Sequence, residues 1–147
     1  MNVLFLDVDG VLNSHEFALS GKWGSRANEQ IDQKLMDRLI RIIDTLPDLE
    51  FVLSSTWRIL PENEGEYALR QHGFKKSFVG HTPRLRDFDA SRGDEIQAWL
   101  DEHPEVEKFV ILDDDSDMKH LMDHLVQTVN GVGLQDEQVE EIIKRMS

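Results

Sequence analysis

The chain has 147 residues, 39% apolar and 31% charged, with a net charge of −13 and no cysteine. A chain of this length buries about 70% of its unfolded surface in a single core, and its apolar runs recur from Val3 to Met146, unlike those of a disordered chain. Those runs are too short to span a bilayer, the missing cysteines exclude disulfides, zinc–thiolate sites and thiol catalysis, and the acidic balance makes non-specific nucleic-acid binding unfavourable.

Val3–Asp7 is a short apolar run ending in a carboxylate, the pattern of a buried parallel strand. Residues 13–30 are polar, hold Gly21 and Gly24, and read as a long loop. Ile31, Leu35, Leu39, Ile42 and Leu46 follow helical spacing, which Pro47 stops. Glu50–Ser54 is a second apolar run, ending in a hydroxyl. Pro61–His72 reads as a helix closed by Gly73, and Ser77–Gly80 as a short strand. Ser91 and Asp94 form a capping-box pattern that opens a helix through Leu100. Lys108–Asp113 is a third apolar run ending in a carboxylate. A short helix over Met118–Leu125, a strand at Thr128–Asn130 and a helix over Gln135–Arg145 complete the order. This alternation predicts one α/β domain over residues 1–147 with a mostly parallel sheet.

In open parallel sheets the ligand site lies beyond the carboxyl ends of the strands. If the three apolar runs are neighbouring strands, Asp7, Ser54 and Asp113 meet at that edge. Asp7 and Asp9 stand two apart, and Gly10 permits a sharp turn after them. Asp113 and Asp114 bring further anions, and carboxylates forced together repel unless a cation joins them. Mg²⁺ suits such a set, because it takes a few carboxylates, waters and substrate phosphate. Ser54 offers a hydroxyl to a phosphate oxygen, and Arg92 a fixed positive charge. A carboxylate nucleophile, a second carboxylate, a metal, a hydroxyl and a cation together fit phosphoryl transfer through an aspartyl-phosphate.

At these residues the chain resembles the haloacid dehalogenase (HAD) superfamily. Asp7-Val8-Asp9-Gly10-Val11 resembles its first motif, Ser54 its second, Arg92 its third and Asp113-Asp114 its fourth, all in family order. More narrowly, Ser54-Ser55-Thr56-Trp57-Arg58 and Arg92-Gly93-Asp94-Glu95-Ile96 resemble the small HAD domains of RNA-repair proteins and the phosphatase half of polynucleotide kinase-phosphatases. The resemblance implies a Rossmann-like three-layer α/β/α sandwich and a Mg²⁺-dependent phosphomonoester hydrolase. In that reading Asp7 attacks phosphorus and Asp9 is the general acid–base. Asp7, the Asp9 backbone carbonyl and Asp113 or Asp114 hold the metal, and with Asp115 and Asp117 in the same run the choice among these carboxylates stays open. Ser54 and Arg92 hold the phosphoryl group, Ser55 is an alternative to Ser54, and Arg58 is a further candidate phosphate ligand. Dehalogenating relatives lack the second aspartate, so Asp9 favours phosphatase chemistry.

Other features have plainer readings. Asp113–Asp117 has calcium-loop spacing, but Met118 and His124 stand where such a loop needs Gly and Glu. His120 and His124, four apart, read as an ordinary helix face. Trp57 and Trp99 read as core or rim, and Arg58, Arg84 and Arg86, taken singly, as solvated charges.

Neither the stretch from Asp9 to Ser54 nor that from Arg58 to Arg92 is long enough for a separate folded cap, so a minimal cap or none is expected. An open site admits bulky substrates such as a nucleic-acid end or a phosphoprotein, while the net charge of −13 keeps a phosphorylated small molecule as an alternative. Residues 58–92 carry a net charge of +2, against −4 before and −11 after them, and are the only basic region to face such a substrate. A non-hydrolytic phosphate- or protein-binding module and a phosphotransferase are the competing functions. With no leader pattern visible, a cytoplasmic location is expected.

Overall fold

The computed structural model describes residues 1–87 and 89–147. Its chain order is β1 (Asn2–Leu6), α1 (His15–Ala18), α2 (Gln33–Thr45), β2 (Glu50–Leu53), α3 (Glu64–Gln71), β3 (Phe78–His81), α4 (Arg92–Asp101), β4 (Lys108–Asp113), β5 (Leu125–Gln127) and α5 (Asp136–Met146). Short 3₁₀ turns lie at Ala27–Gln30, Thr56–Ile59, Pro61–Asn63 and Lys119–His124. The five strands form one sheet in the order β3-β2-β1-β4-β5, and every pairing is parallel.

Strand alternation builds the two faces. Leu4, Leu6, Phe51, Leu53, Val110 and Leu112 point into one core with Leu39 and Ile42 of α2, Leu69 of α3, and Val139 and Ile142 of α5. Val3, Phe5, Val52 and Ile111 point the other way, against Ile96 and Trp99 of α4 and Leu121. Phe5 meets both Trp99 and Phe109 edge-on, at 5.6 and 5.7 Å between ring centres. Helices on both faces of a parallel sheet make the predicted Rossmann-like α/β/α arrangement. The chain runs outward from β1 to β2 and β3, then crosses back to β4 on β1's other side. The crevice at such a reversal is where open α/β sheets bind ligands.

Local signals explain several boundaries. Ser91 accepts from the Asp94 amide while Asp94 accepts from the Ser91 amide, the capping box foreseen at the start of α4. Asp32 caps α2 through the Lys34 amide.

Three expectations differ in detail. The polar stretch 13–30 is not all loop: Ser14 caps the one-turn helix α1, and a 3₁₀ turn follows at Ala27–Gln30. The short helix near 118–125 is a 3₁₀ segment, Lys119–His124. The last strand is Leu125–Gln127, not Thr128–Asn130. Leu125 and Val126 are the apolar pair that β4 needs beside it, whereas Val129 is exposed and bridges Gly133 within a turn. No helix among the described residues is long and apolar enough to cross a membrane.

Candidate active site

Asp7 follows the last residue of β1, and its amide donates to the Leu112 carbonyl at 3.0 Å, which fixes it between β1 and β4. The chain then turns: the Val11 and Leu12 amides both return to the Val8 carbonyl. Gly10, at φ +79°, makes that turn without strain. Its amide donates to Asn13 Oδ1 at 2.9 Å, and its carbonyl accepts from Thr128 Oγ1 at 2.7 Å. A Cβ at Gly10 would overlap the Asp114 carboxylate, so the missing side chain is what lets that carboxylate approach.

Asp7, Asp113 and Asp114 each offer a carboxylate oxygen within 4.8 Å of the other two. Asp7 and Asp113 are buried. Burial, then the charge of Asp113, holds the Asp7 carboxyl well above the usual carboxylate range. Burial likewise pushes Asp113 up to about 7, opposed by the Asp115 amide and by Arg92. Both shifts arise chiefly from burial of the charged form, which a cation beside the pair would offset. An oxygen-only set of three carboxylates, with space left by Gly10, fits a small hard divalent cation.

The other acidic residues nearby have separate tasks. The Asp115 amide donates to Asp113, and its carboxylate accepts from the Ser116 amide. Asp117 accepts the Arg92 amide on its side chain and the Gly93 amide on its carbonyl, anchoring the start of α4. Gly93 packs so close to Met118 that a Cβ there would overlap the Met118 backbone. Asp114 is placed by Asn130, whose Nδ2 donates to it at 3.0 Å.

Ser54 follows β2, and its amide donates to the Leu6 carbonyl, setting it beside the end of β1. It is buried, and its hydroxyl has no partner among the described residues. A buried hydroxyl without a partner, at a strand end beside the carboxylates, is free to bond a ligand oxygen. Ser55 differs: its hydroxyl accepts the Trp57 amide at 3.2 Å and caps the Thr56–Ile59 turn.

Arg92 donates through Nη1 to the Ser54 carbonyl, and its Nε lies 3.8 Å from Asp113 Oδ2. Arg58, a candidate phosphate ligand, is held within the fold by two of its nitrogens, and its Nε has no partner among the described residues. Its side chain is 5% exposed, with Nη1 on the Ser55 carbonyl at 2.7 Å and Nη2 on Glu95 at 2.8 Å. Glu95 also lies 3.9 Å from Arg92, so one carboxylate serves both guanidinium groups.

Asp9 is exposed, and its Oδ1 accepts from Asn13 Nδ2 at 2.9 Å and Trp57 Nε1 at 3.2 Å. The structure thus brings Asp7, Asp113, Asp114, Ser54 and Arg92 to one edge, with Asp9 at its rim and Ser55 and Arg58 behind it. Asn13, Trp57, Glu95, Thr128 and Asn130 were not foreseen. The one available signal was that a buried indole N–H needs an acceptor. His120 pairs with Gln97, and His124 stacks on Phe109, so neither joins this edge. A cavity of about 480 Å³ is lined by Phe17, Asn28, Ile31, Lys34 and His72 among others and includes none of the edge residues.

No curated protein matches the chain. Residues 3–139 match the family described as the HAD domain in Swiss Army Knife RNA repair proteins. That match runs from β1 into α5 and takes in every motif residue at the carboxyl edge; the chain belongs to this family of HAD domains.

Proposed function

We propose that the protein is a Mg²⁺-dependent phosphomonoester hydrolase that acts through an aspartyl-phosphate on Asp7, with nucleotide or polynucleotide end phosphates as its substrates. One observation carries the reading. Two buried carboxylates and a third beside them share an edge with an unpartnered buried hydroxyl and an arginine. The family's occurrence in RNA-repair proteins supports the choice of substrate.

In this mechanism a carboxylate oxygen of Asp7 forms a bond to phosphorus as the ester P–O bond breaks, and Asp9 gives its proton to the leaving oxygen. Water then attacks the phosphorus of the aspartyl-phosphate, Asp9 takes up the proton, and Asp7 is released with inorganic phosphate. The Ser54 hydroxyl donates to a phosphoryl oxygen, and Arg92 supplies positive charge where negative charge builds up. Asp7, Asp113, Asp114 and the Asp9 backbone carbonyl would hold Mg²⁺. When bound, the ion neutralises these carboxylates and the phosphoryl oxygens, which allows one anion to approach another. Arg58 and Ser55 act one step back, fixing the turn that follows Ser54.

The test is hydrolysis of 3′- and 5′-phosphorylated oligonucleotides, nucleotides and sugar phosphates, with Mg²⁺ and with chelator. The reading predicts phosphate release from at least one end-phosphorylated nucleic acid, abolished by chelator. Phosphate binding without turnover of any ester would instead identify a non-hydrolytic module. Phosphate passing to an added alcohol in preference to water would identify a phosphotransferase.

A further inference from the structure

We infer that Trp57 is a positioning residue for Asp9, the general acid–base of the proposed reaction, on which this inference rests. Asp9 lies beyond the strand and is exposed, and an exposed carboxylate on a turn samples several rotamers. Here two N–H donors meet on the same oxygen. Asn13 cannot turn its amide round, because its Oδ1 is taken by the Gly10 amide, so its Nδ2 faces Asp9 Oδ1 at 2.9 Å. Trp57 Nε1 reaches the same atom at 3.2 Å from a different part of the chain. Asp9 Oδ2 has no partner among the described residues, which leaves one oxygen anchored and the other available to carry the proton.

Trp57 is itself well held. It is 6% exposed and packs in the larger core. Its amide is bound by the Ser55 hydroxyl, and its carbonyl accepts from the Leu60 amide. It stands three residues after Ser54, so the turn that presents the phosphate-binding hydroxyl also aims the acid–base. A hydrophobic role explains the buried ring but not an N–H directed at an exposed carboxylate.

The experiment compares wild type, Asp9→Asn, Trp57→Phe and the double variant, each with an alkyl and an aryl phosphate. Trp57→Phe keeps an aromatic ring in the core and removes the donor. The inference predicts that it slows the alkyl ester about 10-fold or more and the aryl ester less, because only the alkyl leaving group depends on a well-placed acid. It predicts almost no further slowing when the change is made in Asp9→Asn. Equal slowing of both esters, or a full effect in the Asp9→Asn background, would overturn it. A second arm needs no activity. In ¹⁵N-labelled protein the Trp57 indole resonance should move in Asp9→Asn while those of Trp23 and Trp99 stay in place. An unmoved Trp57 resonance overturns the inference whatever the kinetics. If the wild type hydrolyses neither ester, the proposed function fails, and the resonance still reports whether Trp57 holds Asp9.

Discussion

Arg92 links the ends of two strands: its Nη1 donates to the Ser54 carbonyl beyond β2, and its Nε lies 3.8 Å from Asp113 at the end of β4. The strand β1, with Asp7, lies between them. The proposed mechanism gives this guanidinium the transferring phosphoryl group as its partner. Arg92→Ala should lower kcat/KM for a phosphate ester about 10²–10³-fold, the usual loss for one donor to a developing anion. Arg92→Lys should recover part of that loss, because it restores charge without the fork. Steady-state kinetics of the two variants checks the ordering; equal loss in both would point to the guanidinium geometry alone.

Glu95 balances the buried Arg58 side chain at 2.8 Å and the half-buried Arg92 at 3.9 Å. Removing one partner of a buried pair strands the other charge, which costs about 3–5 kcal/mol. Glu95→Ala should therefore destabilise the fold by that order in urea or thermal melts, and Glu95→Gln by less. A loss under about 0.5 kcal/mol, typical of surface changes, would show that the pair is solvated.

The buried carboxylates also set a pH dependence. Asp113 has its folded pKa raised to about 7, and Asp7 is raised as well. Unfolded aspartates lose their protons near pH 4. Between about pH 4 and 7 the metal-free folded state thus binds more protons than the unfolded state, and stability falls as pH rises. The melting temperature without metal should be higher at pH 5 than at pH 8. In the proposed mechanism Mg²⁺ binds the ionised carboxylates of the folded state, so adding it should reverse that order. At about 100 times its Kd it should raise the melt at pH 8 by roughly 5–10 °C. A melt that responds to Mg²⁺ no more than to monovalent salt would remove the metal from the account.

Gly10 tests the same cluster by sterics. Alanine there must adopt φ +79° and overlap the Asp114 carboxylate. Gly10→Ala should cost at least about 1–2 kcal/mol for the left-handed backbone alone. It should also weaken the thermal response to Mg²⁺, because Asp114 must move. An unchanged Mg²⁺ response in a folded Gly10→Ala variant would show that Asp114 is not among the metal's ligands.

The strand-end residues Asp7, Ser54 and Asp113 could be read from the sequence because each ends an apolar run, and parallel strands line up their carboxyl ends. Arg92 could be placed because Ser91 and Asp94 mark the start of its helix. What could not be read depends on how the turns fold. Nothing local says that Ser55 turns its hydroxyl to its own chain while Ser54 keeps its hydroxyl free. Arg58 looks like a free cation until Glu95, 37 residues on, is brought beside it. Trp57 lies 48 residues from Asp9, and the two meet only when β1 and β2 pair. The strand at 125–127 was hidden because Leu125 and Val126 continue an apolar pattern that serves a helix as well as a strand.

The most direct test of the central claim is turnover by Asp7→Asn at saturating Mg²⁺, with circular dichroism to verify the fold. The substitution keeps the shape of the side chain and removes the attacking anion. Covalent catalysis at Asp7 predicts a folded protein whose phosphate release falls by at least about 10³-fold, the scale of loss when a nucleophile is removed. A folded Asp7→Asn variant that keeps more than about a tenth of the wild-type rate, where loss of a nucleophile leaves far less, would contradict covalent catalysis at Asp7.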